Sequence, residues 1–277
     1  MNAGTALLKA ARLFEDAGIA APRLTAEVLL CHALHRQRPY LYAHPEYELS
    51  EAERLSFEGF VQRRLDRTPT QYITENQEFY GRPFRVTPDV LIPRPETEHV
   101  VETALELGRG ARRVLDVGCG SGAIAVTMRL ESGAAVFATD ISPAAIAVAA
   151  GNARNLGAAV RFIGCDLMSA VAGKSMDLIV SNPPYVPLKE EPHLQAEIRE
   201  FEPRQAVFAG ETGLEIYERL AEDAPRVLRP SGWIVMELGF GCLEGVQRIF
   251  GHGWAEVRVV PDLAGIPRVL AAKRPTP

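Results

Sequence analysis

Long apolar runs are missing from this 277-residue chain. None approaches the roughly 20 residues needed to cross a bilayer, so no membrane partner is expected. Cysteine is scarce. The four present (Cys31, Cys119, Cys165 and Cys242) are scattered without metal-ligand spacing, so no metal is expected and a reduced, cytoplasmic setting is. Cys31-His32-x-x-His35 has no further ligands beside it and reads as an ordinary helix face. An excess of positive charge is also absent: the net charge is −5. Proteins that grip a nucleic-acid backbone draw affinity from neutralising phosphates, so no direct nucleic-acid binding is expected. The basic cluster Arg63, Arg64 and Arg67 reads as a solvated helix face. There is no internal repeat and no low-complexity segment. The first residues lack a signal-peptide pattern, and Glu15 and Asp16 do not suit a transit peptide.

What is present is enough apolar residue, 47%, for a real core, and length for one large domain plus a small one. Residues 2–67 read as helices. Leu7, Ala10, Ala11 and Phe14 recur at helical spacing, and 25–35 form a second helical stretch with Val28, Leu29 and Leu34. Ser50-Glu51-Ala52-Glu53 is a capping box that opens a helix running to about residue 67. Residues 71–92 mix aromatics with a Gly/Pro turn, as a β-hairpin connector does. Pro93-Arg94-Pro95-Glu96-Thr97-Glu98 then opens a helix, with proline and acids at its positive end.

From Arg113 onward strands and helices alternate. Strands are predicted at 114–117, 135–139, 160–163, 178–180 and 233–238, with helices at 123–130, 143–155 and 214–228 between them. Buried strands separated by helices imply a mostly parallel sheet covered on both faces. Two final strands, 255–260 and 269–272, flank a turn and suggest an antiparallel hairpin at one edge. The division expected is 1–70 helical, 71–92 hairpin linker, and 93–277 an α/β domain.

Three motifs carry chemistry. Asp116-Val117-Gly118-Cys119-Gly120-Ser121-Gly122-Ala123 follows a strand and opens a helix, the setting of a nucleotide-type site. Its spacing suits an S-adenosylmethionine loop (Gly118-x-Gly120-x-Gly122) and a dinucleotide fingerprint (Gly118-x-Gly120-x-x-Ala123) equally. Asp140, at the end of the next strand, is placed to accept both hydroxyls of a ribose, and Asp166 is a candidate for an adenine amine. Asp140 can also be read as a helix cap, although Ser142 is the better one.

The deciding motif is Asn182-Pro183-Pro184-Tyr185 at the carboxyl end of a strand. Two prolines forbid helix and remove two donors, leaving the Asn182 side-chain carbonyl and free backbone carbonyls. A planar NH2 group has two donors, one for Asn182 and one for the Pro183 carbonyl. Holding both N–H bonds leaves the nitrogen lone pair aimed at an electrophilic methyl group and stabilises the charge that develops. Tyr185 can stack on the flat group. Catalytic roles therefore fall to Asn182, Pro183 and Tyr185. The residues make this the methyltransferase variant of the doubly wound fold, acting on an amide or an amine nitrogen; they do not choose between glutamine and adenine.

The chain resembles the peptide chain release factor glutamine methyltransferases over nearly its whole length. The resemblance is carried by Gln71-Tyr72-Ile73-Thr74, Glu78-Phe79-Tyr80-Gly81, the run Leu91-Ile92-Pro93-Arg94-Pro95-Glu96-Thr97-Glu98, the glycine loop and Asn182-Pro183-Pro184-Tyr185. It continues in Glu202-Pro203-Arg204, Gly213-Leu214 and Asp262-Leu263-Ala264-Gly265. The tetrapeptide is shared with adenine-N6 methyltransferases; the 94–98 and 202–203 segments are not. The resemblance implies methylation of the glutamine side-chain amide in the Gly-Gly-Gln motif of class-1 release factors, with S-adenosylmethionine as cofactor. It implies a Rossmann-like class I sheet and a helical N-terminal domain that helps hold the release factor, in a chain expected to be a monomer. Carried over by position, Gly118, Cys119, Gly120, Ser121, Gly122, Asp140 and Asn182 bind the cofactor, and Leu167 lines its adenine. Asn182, Pro183, Pro184 and Tyr185 bind the glutamine, and Arg94 and Glu96 stand near the methionine end. A ribosomal-protein glutamine and an adenine remain as alternative substrates. Glu75-Asn76 departs from the family pattern, which has a glycine there.

Overall fold

The computed structural model describes residues 1–276, which pack into two compact units. The first holds residues 1–76 together with 196–201. Its helices are α1 (Ala3–Asp16), α2 (Pro22–Leu34), α3 (Arg38–Ala43), α4 (Glu51–Leu65) and α5 (Thr70–Thr74). The helical period of α1 puts Ala3, Ala6, Ala10 and Phe14 on one buried stripe, where small residues let α2 approach. Phe14, Leu29, Leu30, Phe57 and Ile73 form the centre of this core. α4 begins with the expected capping box: the Glu53 amide donates to Ser50 Oγ and the Ser50 amide to Glu53 Oε2. It stops two residues earlier than predicted.

The solvated reading of the basic cluster fails at Arg64, while the side chain of Arg67 is 39% exposed. Arg64 is 7% exposed and pairs with Glu197 at 2.7 Å, and Arg67 donates to the Ala17 carbonyl at 2.7 Å. Glu197 lies in the short helical segment Ala196–Phe201, so a piece of distant sequence completes this unit. Sequence-local charge patterning has no access to such a partner.

The second unit begins with a hairpin, β1 (Asn76–Phe79) and β2 (Arg82–Arg85), turning at Tyr80-Gly81. Phe79 and Phe84 meet edge to face and enter the core of this unit. Residues 71–74 of the expected 71–92 linker are helical, as part of α5 in the first unit. Next come a 3-10 turn (Pro95–Thr97), α6 (Glu98–Leu107), β3 (Arg113–Val117), α7 (Ala123–Ser132), β4 (Ala135–Asp140), α8 (Pro143–Asn155), β5 (Val160–Gly164) and β6 (Met176–Ser181). A stretch not assigned from sequence follows: β7 (Val186–Pro187), the segment already described as Ala196–Phe201 (α9), α10 (Arg204–Val207) and β8 (Phe208–Gly210). The chain ends with α11 (Glu215–Val227), β9 (Leu228–Glu237), α12 (Leu243–Phe250), β10 (Glu256–Pro261) and β11 (Pro267–Lys273).

Seven strands form one sheet in the order β10-β11-β9-β6-β3-β4-β5. From β9 to β5 all neighbours are parallel, and β10 and β11 close the edge antiparallel, as expected. The fold is the Rossmann-like class I methyltransferase arrangement. Both faces are covered, which is why 114–115 of β3, 178–180 of β6 and 233–236 of β9 are unbroken apolar runs. Strand order reverses at β3, with β4 on one side and β6 on the other, so the ligand crevice of such a sheet opens at the carboxyl ends of these strands. Among the described residues no helix is long and apolar enough to cross a membrane.

Glu75 ends α5 with φ +52°, the left-handed conformation that glycine adopts without strain. This is the position where the resemblance leads one to expect glycine. Replacing Glu75 by Gly removes the Cβ clash and is expected to stabilise the protein by about 0.5–1 kcal/mol, measured by urea unfolding. No gain would show that the local contacts of Glu75 already offset its strain.

Candidate active site

The site grows from the end of β3. Gly118, Gly120 and Gly122 all have left-handed φ (+73°, +51° and +81°), so the loop is a run of conformations that side chains resist. A Cβ on Gly122 would lie 3.0 Å from that of Ala149, whereas at Gly118 and Gly120 it would meet nothing within 4 Å. The first glycine type lets α8 pack; the other two leave open space for a ligand.

The loop is pinned to β4. The Gly118 and Cys119 amides donate to the Thr139 carbonyl at 2.9 Å each, and the Gly120 amide donates to Asp140 Oδ2 at 2.9 Å. Asp140 Oδ1 accepts from the Ser142 amide, and Ser142 itself caps α8 by accepting from the Ala145 amide. Of the two readings of Asp140, that of helix cap falls to Ser142. Asn152 on α8 adds a second tie, donating to the Ser121 and Arg85 carbonyls and accepting from the Arg85 amide. The hairpin and the glycine loop are fastened to one buried side chain.

Asp116 supplies what the motif alone did not reveal. It is fully buried, and its Oδ2 accepts from the Ala125 amide at 2.9 Å, so a strand carboxylate satisfies the first turn of α7. Its other oxygen has no protein partner. Burial, reinforced by the nearby Asp140 charge, raises its pKa to about 7.

A cavity of about 340 Å³ opens here. Gly118, Cys119, Gly120, Ser121, Asp140, Asp166, Leu167, Asn182 and Pro184 line it; Gly122, Pro183 and Tyr185 do not. Leu167 holds a left-handed φ of +45°, and Asp166 Oδ2 accepts from Arg219 at 2.6 Å. Burial and the two neighbouring aspartates push the Cys119 thiol well up, which makes it a poor nucleophile.

On the opposite wall, Ser181 Oγ donates to the Val117 carbonyl at 2.8 Å and ties the end of β6 to β3. Asn182 Nδ2 donates to Thr97 Oγ1 at 3.0 Å, and Thr97 donates to Glu237 Oε2 at 2.5 Å. Tyr185 donates to the other oxygen, Glu237 Oε1, at 3.3 Å. The Tyr185 ring packs so closely on Gly239 that a Cβ there would sit 2.6 Å away. Burial and the Glu237 carboxylate raise the Tyr185 phenol well above its ordinary value. Pro183 is buried. The sequence marks Thr97 only as part of the 94–98 segment and gives Glu237 no motif of its own. Its one signal was an acid in the otherwise apolar run Trp233-Ile234-Val235-Met236-Glu237-Leu238.

Arg94 donates to Glu202 Oε1 at 2.5 Å, and the Glu202 side chain is 2% exposed. Burial raises the Glu202 carboxyl even though Arg94 pulls it down. The segments around 94 and 202, which set the resemblance apart from adenine methylation, are therefore held to each other. Glu96 is not among the cavity-lining residues.

The chain is similar to known proteins over nearly its whole length. The family model for the PrmC N-terminal domain matches residues 5–74, and that for the methyltransferase small domain matches residues 98–200. The release factor glutamine methyltransferase of Koribacter versatilis is 47% identical over 95% of this chain and 95% of its own length. That of Nitratidesulfovibrio vulgaris is 44% identical over 97% of this chain and 94% of its own length. A crystal structure of a methyltransferase from Pyrococcus furiosus aligns with TM-score 0.55 at 20% identity, covering 78% of this chain and 98% of that one, a likeness of fold.

Asp116 makes stability depend on pH. Between its ordinary value of 3.8 and about 7 the folded protein holds a proton that the unfolded chain has released. Folded stability therefore falls as pH rises through this window, by up to about 1.4 kcal/mol per unit. Asp116→Asn keeps an acceptor for the Ala125 amide and abolishes the charge. Its melting temperature relative to wild type is expected to rise between pH 5 and pH 8; a constant difference would refute the assignment.

Proposed function

This chain belongs to the release factor glutamine methyltransferases, and from that premise we propose that it methylates the side-chain amide nitrogen of the glutamine in the Gly-Gly-Gln motif of class-1 release factors. The observation that carries the reading is the meeting of Asn182 and Pro184 with the glycine loop and Asp140 on one cavity at the switch point of the sheet. The cofactor is S-adenosylmethionine, which supplies a sulfonium methyl group: the C–S bond breaks as the N–C bond forms.

The residues present fit that cofactor. Gly118 and Gly120 leave space that any side chain would fill, and each Asp140 oxygen, though it accepts one amide, keeps a lone pair for a ribose hydroxyl. Cys119, Ser121, Gly122, Asp166, Leu167 and Asn182 are assigned to the same task, Gly122 through packing against α8. Leu167 is the apolar wall for the adenine. Asn182 Oδ1 and the Pro183 carbonyl are assigned the two amide hydrogens of the glutamine. An amide nitrogen is a poor nucleophile because its lone pair is delocalised; holding both hydrogens sets the lone pair toward the methyl group and stabilises the developing charge. Pro184 and Tyr185 complete the substrate side, with Tyr185 anchored at its hydroxyl by Glu237. After transfer the nitrogen loses one proton to solvent. We assign residues 1–70 to holding the release factor and 71–92 to the connection with the catalytic domain, 93–277, and take the protein to act as a cytoplasmic monomer without direct nucleic-acid binding.

Incubation with labelled S-adenosylmethionine, release factors, ribosomal proteins and DNA is expected to label the release factor at its glutamine. Label confined to ribosomal protein or to DNA would overturn the proposal. Asn182→Ala is expected to cut transfer roughly 10²-fold or more while cofactor binding partly survives. An unchanged rate would refute the acceptor role.

A further inference from the structure

The carboxamide of Asn182 has two ends of nearly equal shape and opposite hydrogen-bonding character. A substrate NH2 group needs the oxygen end; the nitrogen end would set donor against donor. The tetrapeptide itself does not settle which end faces the cavity. The side chains behind it do.

Glu237 is 3% exposed at the end of β9, and its two oxygens are filled by Thr97 and Tyr185. Burial raises the Glu237 carboxyl and the two hydroxyls that donate to it pull it back; with both of its oxygens accepting, the single hydroxyl proton of Thr97 is committed to Glu237. Thr97 Oγ1 then has only lone pairs left for Asn182 and must receive an N–H. Asn182 is thereby held with Nδ2 turned to Thr97 and Oδ1 left for the substrate. Thr97 is itself 4% exposed and Glu237 3%, so the bond between them is shielded from bulk water. Tyr185 hangs from the other oxygen of the same carboxylate. One buried group therefore orients both polar side chains of the tetrapeptide.

We propose that Glu237, acting through Thr97, is a positioning residue that fixes the Asn182 carboxamide with its oxygen toward the substrate nitrogen. This rests on the functional reading above. Removing the Thr97 hydroxyl lets the carboxamide turn over, and the flipped form presents a donor where an acceptor is needed. Converting Glu237 to glutamine offers Thr97 a donor as well as an acceptor and so weakens the same constraint.

The test is kinetic, with a direct readout beside it. Thr97→Val is expected to lower kcat roughly 10- to 100-fold and to leave S-adenosylhomocysteine affinity within about threefold. Thr97→Ser keeps the hydroxyl and is expected to restore kcat to within about threefold of wild type. Glu237→Gln is expected to lower kcat in the same direction and serves as the second variant where Thr97→Val folds poorly. On an Asn182→Ala background neither change is expected to lower the rate further, because the group they orient is gone. Wild-type kcat in folded Thr97→Val, or losses that multiply on the Asn182→Ala background, would overturn the proposal. If the wild-type protein transfers no methyl group to any release factor, it is the functional reading that fails. The relay is then decided by the Asn182 side-chain ¹⁵N–¹H resonances, which are expected to move in Thr97→Val and to stay near wild type in Thr97→Ser. Resonances unmoved by Thr97→Val would overturn it.

Discussion

The hydrogen bond from Thr97 to Glu237 is the contact on which the substrate side of this molecule depends. A carboxylate removed from water costs several kcal/mol unless its oxygens are filled. Here they are filled by a hydroxyl from the turn before α6 and a phenol from the loop after β6. The Glu237 backbone is held too: its carbonyl accepts from Tyr217 on α11, whose hydroxyl in turn accepts from the Gly239 amide. Meeting the demands of one buried acid thus brings four separate stretches of chain to fixed positions around Asn182.

The cofactor side is built on the same logic with different parts. There the demand comes from a loop of left-handed glycines, which has little intrinsic preference for one shape. β4 provides the restraint, through the Thr139 carbonyl and the Asp140 carboxylate. Parallel pairing makes this possible, because β3, β4 and β6 all deliver their carboxyl ends to one edge. Amides that a free helix end would offer to a ligand are here partly spent within the protein, at Gly118, Cys119, Gly120 and Ala125. What remains for the ligand is shaped space and carboxylate lone pairs more than a bare helix terminus. Asp116 sharpens the point. Its proton affinity rises because the loop and α7 close over it, so rigidity is obtained at the expense of a poorly solvated acid.

Much of this was legible from residues. The alternation of short apolar strands with amphipathic helices announced the sheet, and the closing strands announced its antiparallel edge, because burial on two faces leaves a pattern in composition. The loop, Asp140 and the tetrapeptide stand out in the sequence because each sits at a strand end followed by residues that forbid continuation. Partners at a distance left no such mark. Arg64 looked solvated because Glu197 lies 133 residues away, and Glu237 looked like one acid in a strand because Thr97 lies 140 residues away. The stretch from 186 to 210 escaped assignment for another reason: its elements are short, and prolines interrupt any period. Pattern reports which face of an element is dry; it does not report which group will meet it there.

That limit bears on the choice between an amide and a base. The acceptor roles proposed for Asn182 and Pro183 suit any flat NH2 group, so the tetrapeptide is indifferent to what carries the nitrogen. Discrimination has to come from the surfaces beside it. Pro203, Gln205, Ala206 and Phe208 line the cavity just after Glu202, a buried acid that would be strongly destabilising without a cation. Arg94 provides it from 108 residues away, one turn before Thr97. The ion pair therefore joins the wall that shapes the cavity to the turn that holds Asn182. Segments 94–98 and 202–204 belong together for a physical reason: Glu202 is buried only with Arg94 beside it, and together they frame a site whose chemistry alone does not specify its substrate.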